Sequence, residues 1–369
     1  MKWKFNTSNS VFVAWLLTVA ATTGSLSAAT LNVGYVQTNL ISDLAGVAKT
    51  QDPRALNSWG IVAGPGSIWV NHNHGSVLVG YNASGAGRSL AVNIPAPGNT
   101  GGGAPTGLEF NRTLQFAVTN GVKHAPATFL IATEDGTILA WNFAVNGTNA
   151  VIVADRSGAD AIYKGLAIVR EDNGTPLLFA ADFHNAKIDV FDGGFNYLTS
   201  FTDTNVPAPF APFNVSNIRG RLFVTFAKQG LPDAEDDEPG PGNGYVDIFD
   251  TDGTVLRRFA SQGDLNSPWG LALAPRDFGQ FSHALLVGNF GDGRINAYDL
   301  LTGKHLGHLT TPDGADLVIP GLWGLTFDRL EIFEKESLFI ANRLYFTAGP
   351  NGEDDGLVGF IRPVNRFVR

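Results

Sequence analysis

Ser267-Pro268-Trp269-Gly270-Leu271-Ala272-Leu273-Ala274 opens the stretch from which the rest of the chain can be read. A second apolar run follows over His283–Asn289, then a Gly291-Asp292-Gly293 turn and a third run, Arg294–Tyr298. Asp299-Leu300-Leu301-Thr302-Gly303 turns the chain into a fourth, weaker run over His305–Thr310. Short runs rich in β-branched and aromatic residues, separated by Gly and Asp turns, form an antiparallel meander. Such a sheet cannot bury both faces alone, so it must stack against copies of itself.

The copies are present. First strands read as Trp59-Gly60-Ile61-Val62, Gly107-Leu108-Glu109-Phe110, Gly165-Leu166-Ala167-Ile168, Phe213-Asn214-Val215-Ser216, Trp269-Gly270-Leu271-Ala272 and Trp323-Gly324-Leu325-Thr326. Second strands read as Ser67–Asn71, Thr128–Thr133, Pro176–Asp182, Arg221–Thr225, His283–Asn289 and Ser337–Asn342, and third strands as Val77–Tyr81, Thr137–Trp141, Lys187–Phe191, Tyr245–Phe249, Arg294–Tyr298 and Leu357–Ile361. Six units spaced roughly 47–58 residues apart are the signature of propeller blades. The fold class is all-β, a six-bladed β-propeller over residues 30–369. The strand Tyr35–Asp43 precedes the first blade, while the sixth blade lacks an outer strand; the N-terminal strand is expected to supply it and close the ring.

Residues 1–29 read as a secretory signal peptide, with Lys2 and Lys4 before the apolar Val11–Ala21 and small residues over Ser25–Ala29, which places the protein in the secretory pathway. That apolar run is too short to span a bilayer. Sequons at Asn82, Asn111, Asn146, Asn173 and Asn214 are candidate glycosylation sites. With no cysteine there are neither disulfides nor thiolate metal sites. The net charge of -9, carried mostly by loops, argues against nucleic acid or an anionic membrane as partner and leaves small molecules.

Three long loops, Asn93–Ala104, Lys228–Gly244 and Arg343–Gly356, belong to the two loop classes that emerge on one face of a propeller, and long loops in a compact repeat carry function. On that face the entries to the first strands and the ends of the second strands bring Trp59, Tyr163, Phe213, Trp269, Trp323 and Tyr345 together as an aromatic collar, with Asn289 and Asn342 among the polar groups. His72, His184, Lys164, Lys228 and Arg343 are the candidate catalytic groups. Aromatic walls with a few convergent polar groups are the make-up of a small-molecule pocket. Glu134 or Asp182 with His72 and His184, or Asp182 with Asn289 and Asn342, form the two alternative metal arrangements. Only one of His72 and His74 is expected to reach the channel. Nucleophile elbows, Walker loops, zinc-protease helices and dinucleotide fingerprints are absent from the sequence.

Asn39-Leu-Ile-Ser-Asp43, Asp52-Pro-Arg-Ala-Leu-Asn57-Ser-Trp59-Gly60, Asn266-Ser-Pro-Trp269-Gly270, Leu286-Val-Gly-Asn289-Phe-Gly-Asp292-Gly-Arg294 and Leu344-Tyr-Phe-Thr-Ala-Gly-Pro350 resemble a family of secreted NHL-like six-bladed propellers over the whole mature chain. The fungal, glycosylated branch of that family resembles hetero-Diels–Alderases of tropolone–sesquiterpenoid biosynthesis. The resemblance implies a cofactor-free enzyme that joins a tropolone quinone methide to a humulene-type alkene. Such a reaction needs two partners held face to face and hydrogen-bond donors on the oxygen that gains electron density. No catalytic motif of that family maps onto numbered positions here, so the candidates rest on the loop argument. A metal-dependent lactonase-like hydrolase and a non-catalytic secreted small-molecule binding propeller are the alternatives.

Overall fold

The computed structural model describes residues 34–64, 67–82, 84–327 and 342–364. The signal-like segment 1–29 lies outside them, as does the expected strand Ser337–Asn342 except for Asn342.

Five antiparallel sheets of four strands run inner to outer in chain order, and a sixth carries five strands. The inner strands are Ser58–Gly64, Pro105–Phe110, Tyr163–Arg170, Phe210–Ile218, Pro268–Leu273 and Leu322–Phe327. In the last sheet the order is Leu322–Phe327, Leu344–Ala348, Leu357–Val364, Gly34–Ser42 and Thr50–Gln51. The N-terminal strand therefore closes the ring: Gly34–Ser42 pairs antiparallel with Leu357–Val364. It is also tied to blade five, because the Tyr35 amide donates to Thr310 O at 2.8 Å and the Tyr35 hydroxyl to Phe278 O at 2.9 Å.

Six apolar clusters fill the six gaps between neighbouring blades, and a seventh sits on the axis. Strand alternation feeds both sides of each sheet. In blade six Leu344, Phe346 and Ala348 face the blade-five side, whereas Tyr345 packs with Leu40, Ile41 and Tyr81 on the blade-one side.

The axis is where space is shortest. A Cβ on Gly60 would lie 2.3 Å from Thr106 O, on Gly270 2.6 Å from Trp323 O and on Gly324 2.7 Å from Trp59 O. Glycine in the Trp-Gly element is thus required by close approach of neighbouring inner strands, at ordinary φ. Blade four puts Asn214 there, and its side-chain amide donates to Trp269 O at 2.8 Å. In every blade the pairing of inner and second strand slips at this point. Such bulges increase local twist and re-aim a side chain, here swinging the residue before the glycine onto the axis.

Two sequons are incompatible with this packing. Asn111 is buried and its amide donates to Gln115 O and Ala127 O at 2.9 and 3.0 Å. A glycan on Asn111 or Asn214 would break bonds that hold the sheets. Asn82 and Asn173 are exposed and Asn146 half-buried.

Gly324→Ala is expected to destabilise the ring by about 1–3 kcal/mol through overpacking at the axis, read as a lower urea midpoint with unchanged slope. Deleting residues 34–42 should remove the cooperative melt altogether, since Leu357–Val364 would lose its partner strand; a deletion variant melting like the parent would refute ring closure.

Candidate functional site at the loop-bearing face

The six positions that the bulges aim at the axis are Trp59, Thr106, Lys164, Phe213, Trp269 and Trp323. The six residues that follow the second strands are held alike by one backbone bond each to the lead-in of the inner strand, and they are Asn73, Glu134, Phe183, Gln229, Phe290 and Gly349. Together they make two stacked rings at one end of the axis.

Most of the two rings is aromatic and closed. Trp59 stacks on Trp323 with centroids 3.7 Å apart, and Phe290 stacks on Trp323 from the other side at 3.9 Å. Trp269 meets both tryptophans edge-on at 6.2 and 5.9 Å, and Phe183 leans on Phe213 at 4.9 Å. Trp59, Phe213, Trp269 and Trp323 are 1%, 0%, 5% and 2% exposed, so the expected collar is a plug that seals the axis. In the three tryptophan blades the residue two before the indole, Asn57, Ser267 or Gly321, has φ of 45°, 46° and 68°. Asn57 and Ser267 adopt this left-handed turn without being glycine, a conformation more often retained at functional sites than elsewhere.

Blades two and three depart from the aromatic pattern. Lys164, 1% exposed, occupies the tryptophan position. Its ammonium lies 5.2 Å over the Trp59 ring and 6.0 Å from that of Phe183, and it is paired with Glu134 and, at 3.4 Å, with Asp236 of the blade-four loop. Glu134 Oε2 accepts from Asn73 at 2.9 Å. Across the site, Glu353 of the blade-six loop accepts from Asn57 at 2.7 Å, and Asn57 in turn accepts from the Trp323 indole at 3.1 Å. His74, Glu134, Ile162, Asp236 and Glu353 line an open cavity of about 380 Å3 above the plug.

The electrostatics follow from burial beside like and unlike charge. Burial pulls the Lys164 ammonium down, but Glu134 and Asp236 more than reverse it and the net direction is upward. Burial pushes the Glu353 carboxyl up to about 7; Asn57 and Lys164 oppose the rise, Glu134 and Asp236 add to it. Burial likewise raises Asp237 to about 6. A permanent cation beside carboxyls that change charge near neutrality can hold an anionic oxygen and move a proton.

The remaining sequence candidates sit elsewhere. His72 is fully buried in the blade, 3.0 Å from Ser58 Oγ and 2.8 Å from the Tyr81 hydroxyl, which donates to Asp52. Burial lowers it to about 3, so it is a neutral packing residue. Tyr163 is buried between blades two and three and donates to Asp189 at 2.8 Å. Asn289 braces its own turn by donating to Asp292 and ties it to the preceding inter-blade loop by donating to Asp264 O. Lys228 pairs with Glu238 at 2.6 Å within the blade-four loop, and His184 borders the plug beside Phe183 with a buried, unpartnered Nδ1. Asn342 and Arg343 precede the second strand of blade six instead of ending it, because that strand is Leu344–Ala348 and the loop to the third strand is only 349–356. They stand at the opposite end of the blade, where Arg343 lies over Phe360 at 4.5 Å, and Tyr345 is in the inter-blade core. The two metal arrangements are consequently not assembled, and among the described residues no three His, Asp or Glu side chains are placed to hold one ion. Phe183 and Phe290 were not singled out from the sequence, although they follow second-strand ends that were, at Asp182 and Asn289; Asp236 and Glu353 counted there only among the acids of the long loops.

Six sheets around an axis, five of four strands and one of five, with the acidic loops on one face, define a six-bladed β-propeller. No family model matches the chain. Protein R648 of Acanthamoeba polyphaga mimivirus, itself named as uncharacterized, is 33% identical over 333 residues, 87% of this chain and 78% of R648, and the chain belongs to the family of that protein. Among solved structures, a Bacteroides thetaiotaomicron protein of unknown function superposes with a TM-score of 0.55 at 10% identity over 89% of this chain and 76% of that one. Streptogramin B lyase does so with a TM-score of 0.50 at 10% identity over 90% and 98%. At that identity the likeness is one of fold.

Glu353 and Asp237 have folded pKa values above their unfolded ones, so the folded state keeps protons that the unfolded chain releases. Their contribution is fully present below the unfolded values and is lost as pH rises, for Glu353 between about 4.5 and 7. Glu353→Gln should melt like the parent at pH 5 and above it at pH 8, by about 1–3 °C; equal melting at both pH values would show that Glu353 is not held out of water.

Proposed function

We propose that the protein is an enzyme of small molecules that works by proton transfer at the loop-bearing face, with Glu353 as general acid and base and Lys164 as the fixed charge on the developing oxyanion. The observation that carries this is Lys164: a position aromatic in four of the six blades holds a buried lysine here, paired with Glu134 and Asp236 beside a carboxyl poised near pH 7. Perturbed titrating groups in a cavity are the physical mark of a catalytic site. A lyase, streptogramin B lyase, is built on a similar ring.

The finer reading is the one the sequence resemblance implies. A hydroxymethyl tropolone becomes a quinone methide when its hydroxyl takes a proton, the C–O bond breaks with departure of water, and the ring hydroxyl gives up a proton. Glu353 would supply the first proton and Lys164 would meet the tropolone oxygens; the humulene-type alkene would then add across the oxadiene. The plug would be the floor of such a site. The burial of Trp59, Phe213, Trp269 and Trp323 favours a second reading, a binding propeller without catalysis, because these four rings present no open wall to a terpene.

The deciding assay follows product from a hydroxymethyl tropolone and humulene against the spontaneous background. Acceleration by the parent protein, with a loss of about 10²–10⁴-fold in Glu353→Gln, supports proton-transfer catalysis. Lys164→Met should fall alongside it, with circular dichroism confirming the fold. Absence of acceleration across related precursors sinks the cycloaddition and leaves the binding reading.

A further inference from the structure

At the other end of the axis, away from the carboxylates, the ring encloses a cavity of about 540 Å3, within the range that small organic ligands fill. Its wall comes from the same inner strands. One position past the glycine ring each strand contributes an aliphatic side chain: Ile61, Leu108, Leu166, Val215, Leu271 and Leu325. Phe110 and Phe327 follow nearer the mouth, and Trp269 of the plug lies at the blind end. The wall is therefore mixed, edges of these aliphatic side chains alternating with polar groups such as Asn214, Ser216 and Asn217, and it is closed on one side.

Among the described residues the mouth is basic, opposite in sign to the protein as a whole. Arg112, Arg170 and Arg219 are exposed around it, and Glu109 is the one acid among the described lining residues, although the chain as a whole carries -9. Arg112 stands over the Phe110 ring at 5.8 Å, and Arg170 spends one nitrogen on Gly174 O at 3.0 Å in its own turn. A planar guanidinium presents several donors in a fork that matches carboxylate and phosphate oxygens. In a protein of net negative charge, a cluster of arginines at a well with an aliphatic ring inside favours one kind of molecule.

We propose that this axial channel binds a free amphiphilic anion, its hydrocarbon body against the ring of aliphatic side chains and its anionic head at Arg170 and Arg219. The site is separate from the carboxylate cluster, since the tryptophan plug lies between them, and it holds whether or not that cluster is catalytic.

Fluorescence of 8-anilinonaphthalene-1-sulfonate on the full chain tests it. The probe should bind and be displaced by decanoate below its micelle concentration, while decylamine and decanol compete at least tenfold less well. Octanoate should be weaker than decanoate by about fifteenfold, since each of the two buried methylenes is worth about fourfold. Arg170→Glu with Arg219→Glu, both exposed and distant from the core, should weaken decanoate at least tenfold with the melting temperature unchanged. Ala63→Phe, which narrows the channel, should exclude it. Equal competition by decylamine, or indifference to the double arginine reversal, overturns the anion assignment. Binding to phosphatidylglycerol vesicles without displacement by decanoate makes the arginines a membrane-facing patch and also overturns the proposal. Should Ala63→Phe not fold, the arginine pair decides alone.

Discussion

Everything in this molecule depends on how closely six inner strands approach one another around one line. A carbonyl oxygen of one strand sits where the next strand would carry a Cβ, which is why Gly60, Gly270 and Gly324 cannot be other residues without displacement. The bulge at the same point turns the preceding side chain inward. One local device, repeated, thus fixes the spacing of the blades and selects which residue of each reaches the axis.

Because the device is repeated, departures from it are informative. Three tryptophans and Phe213 satisfy one another by stacking, which rings do at several mutual angles. Lys164 cannot, and its charge is offset by carboxylates brought from blade two and from the loops of blades four and six. Those loops end up held over the axis as a result, and one of their carboxyls is kept near neutrality. The asymmetry of the site is thus the asymmetry of a single substitution in a six-fold pattern, and the plug separates a carboxylate-lined cavity on one side from an arginine-rimmed one on the other.

The ring, its six units and its closure by the N-terminal strand were legible because Trp-Gly, period-two alternation and turn residues are local signals that recur. Lys164 and Glu134 were legible as groups of the loop face, since strand ends are short-range features. What was not legible needed neighbours. Whether His72 or Asn71 faces the core is a matter of parity: Asn71 in fact donates to Thr106 O and Gly107 O while His72 is sealed behind Tyr81. Leu344-Tyr-Phe-Thr-Ala348 has strand alternation, yet reading it as a loop carried Asn342, Arg343 and Tyr345 to the wrong place. The motifs at Asn111 and Asn214 are blind to the bonds their amides make. Asp236 and Glu353 lie in visibly acidic loops, but which carboxyl would be desolvated depends on the packing of the plug beneath.

Joining Gly34–Ser42 to Leu357–Val364 has a kinetic meaning. These partners are separated by nearly the whole chain, so theirs are the most non-local contacts in the protein, and loop closure of that length must precede any return from them. Until it occurs, five finished blades form an arc with an unpaired strand edge at each end, an open template for another chain. Lone blades gain little, whereas the closed ring gains the last inter-blade core at once. Folding is thereby weighted toward its final step, and the interval before it is when crowding with other copies does most harm.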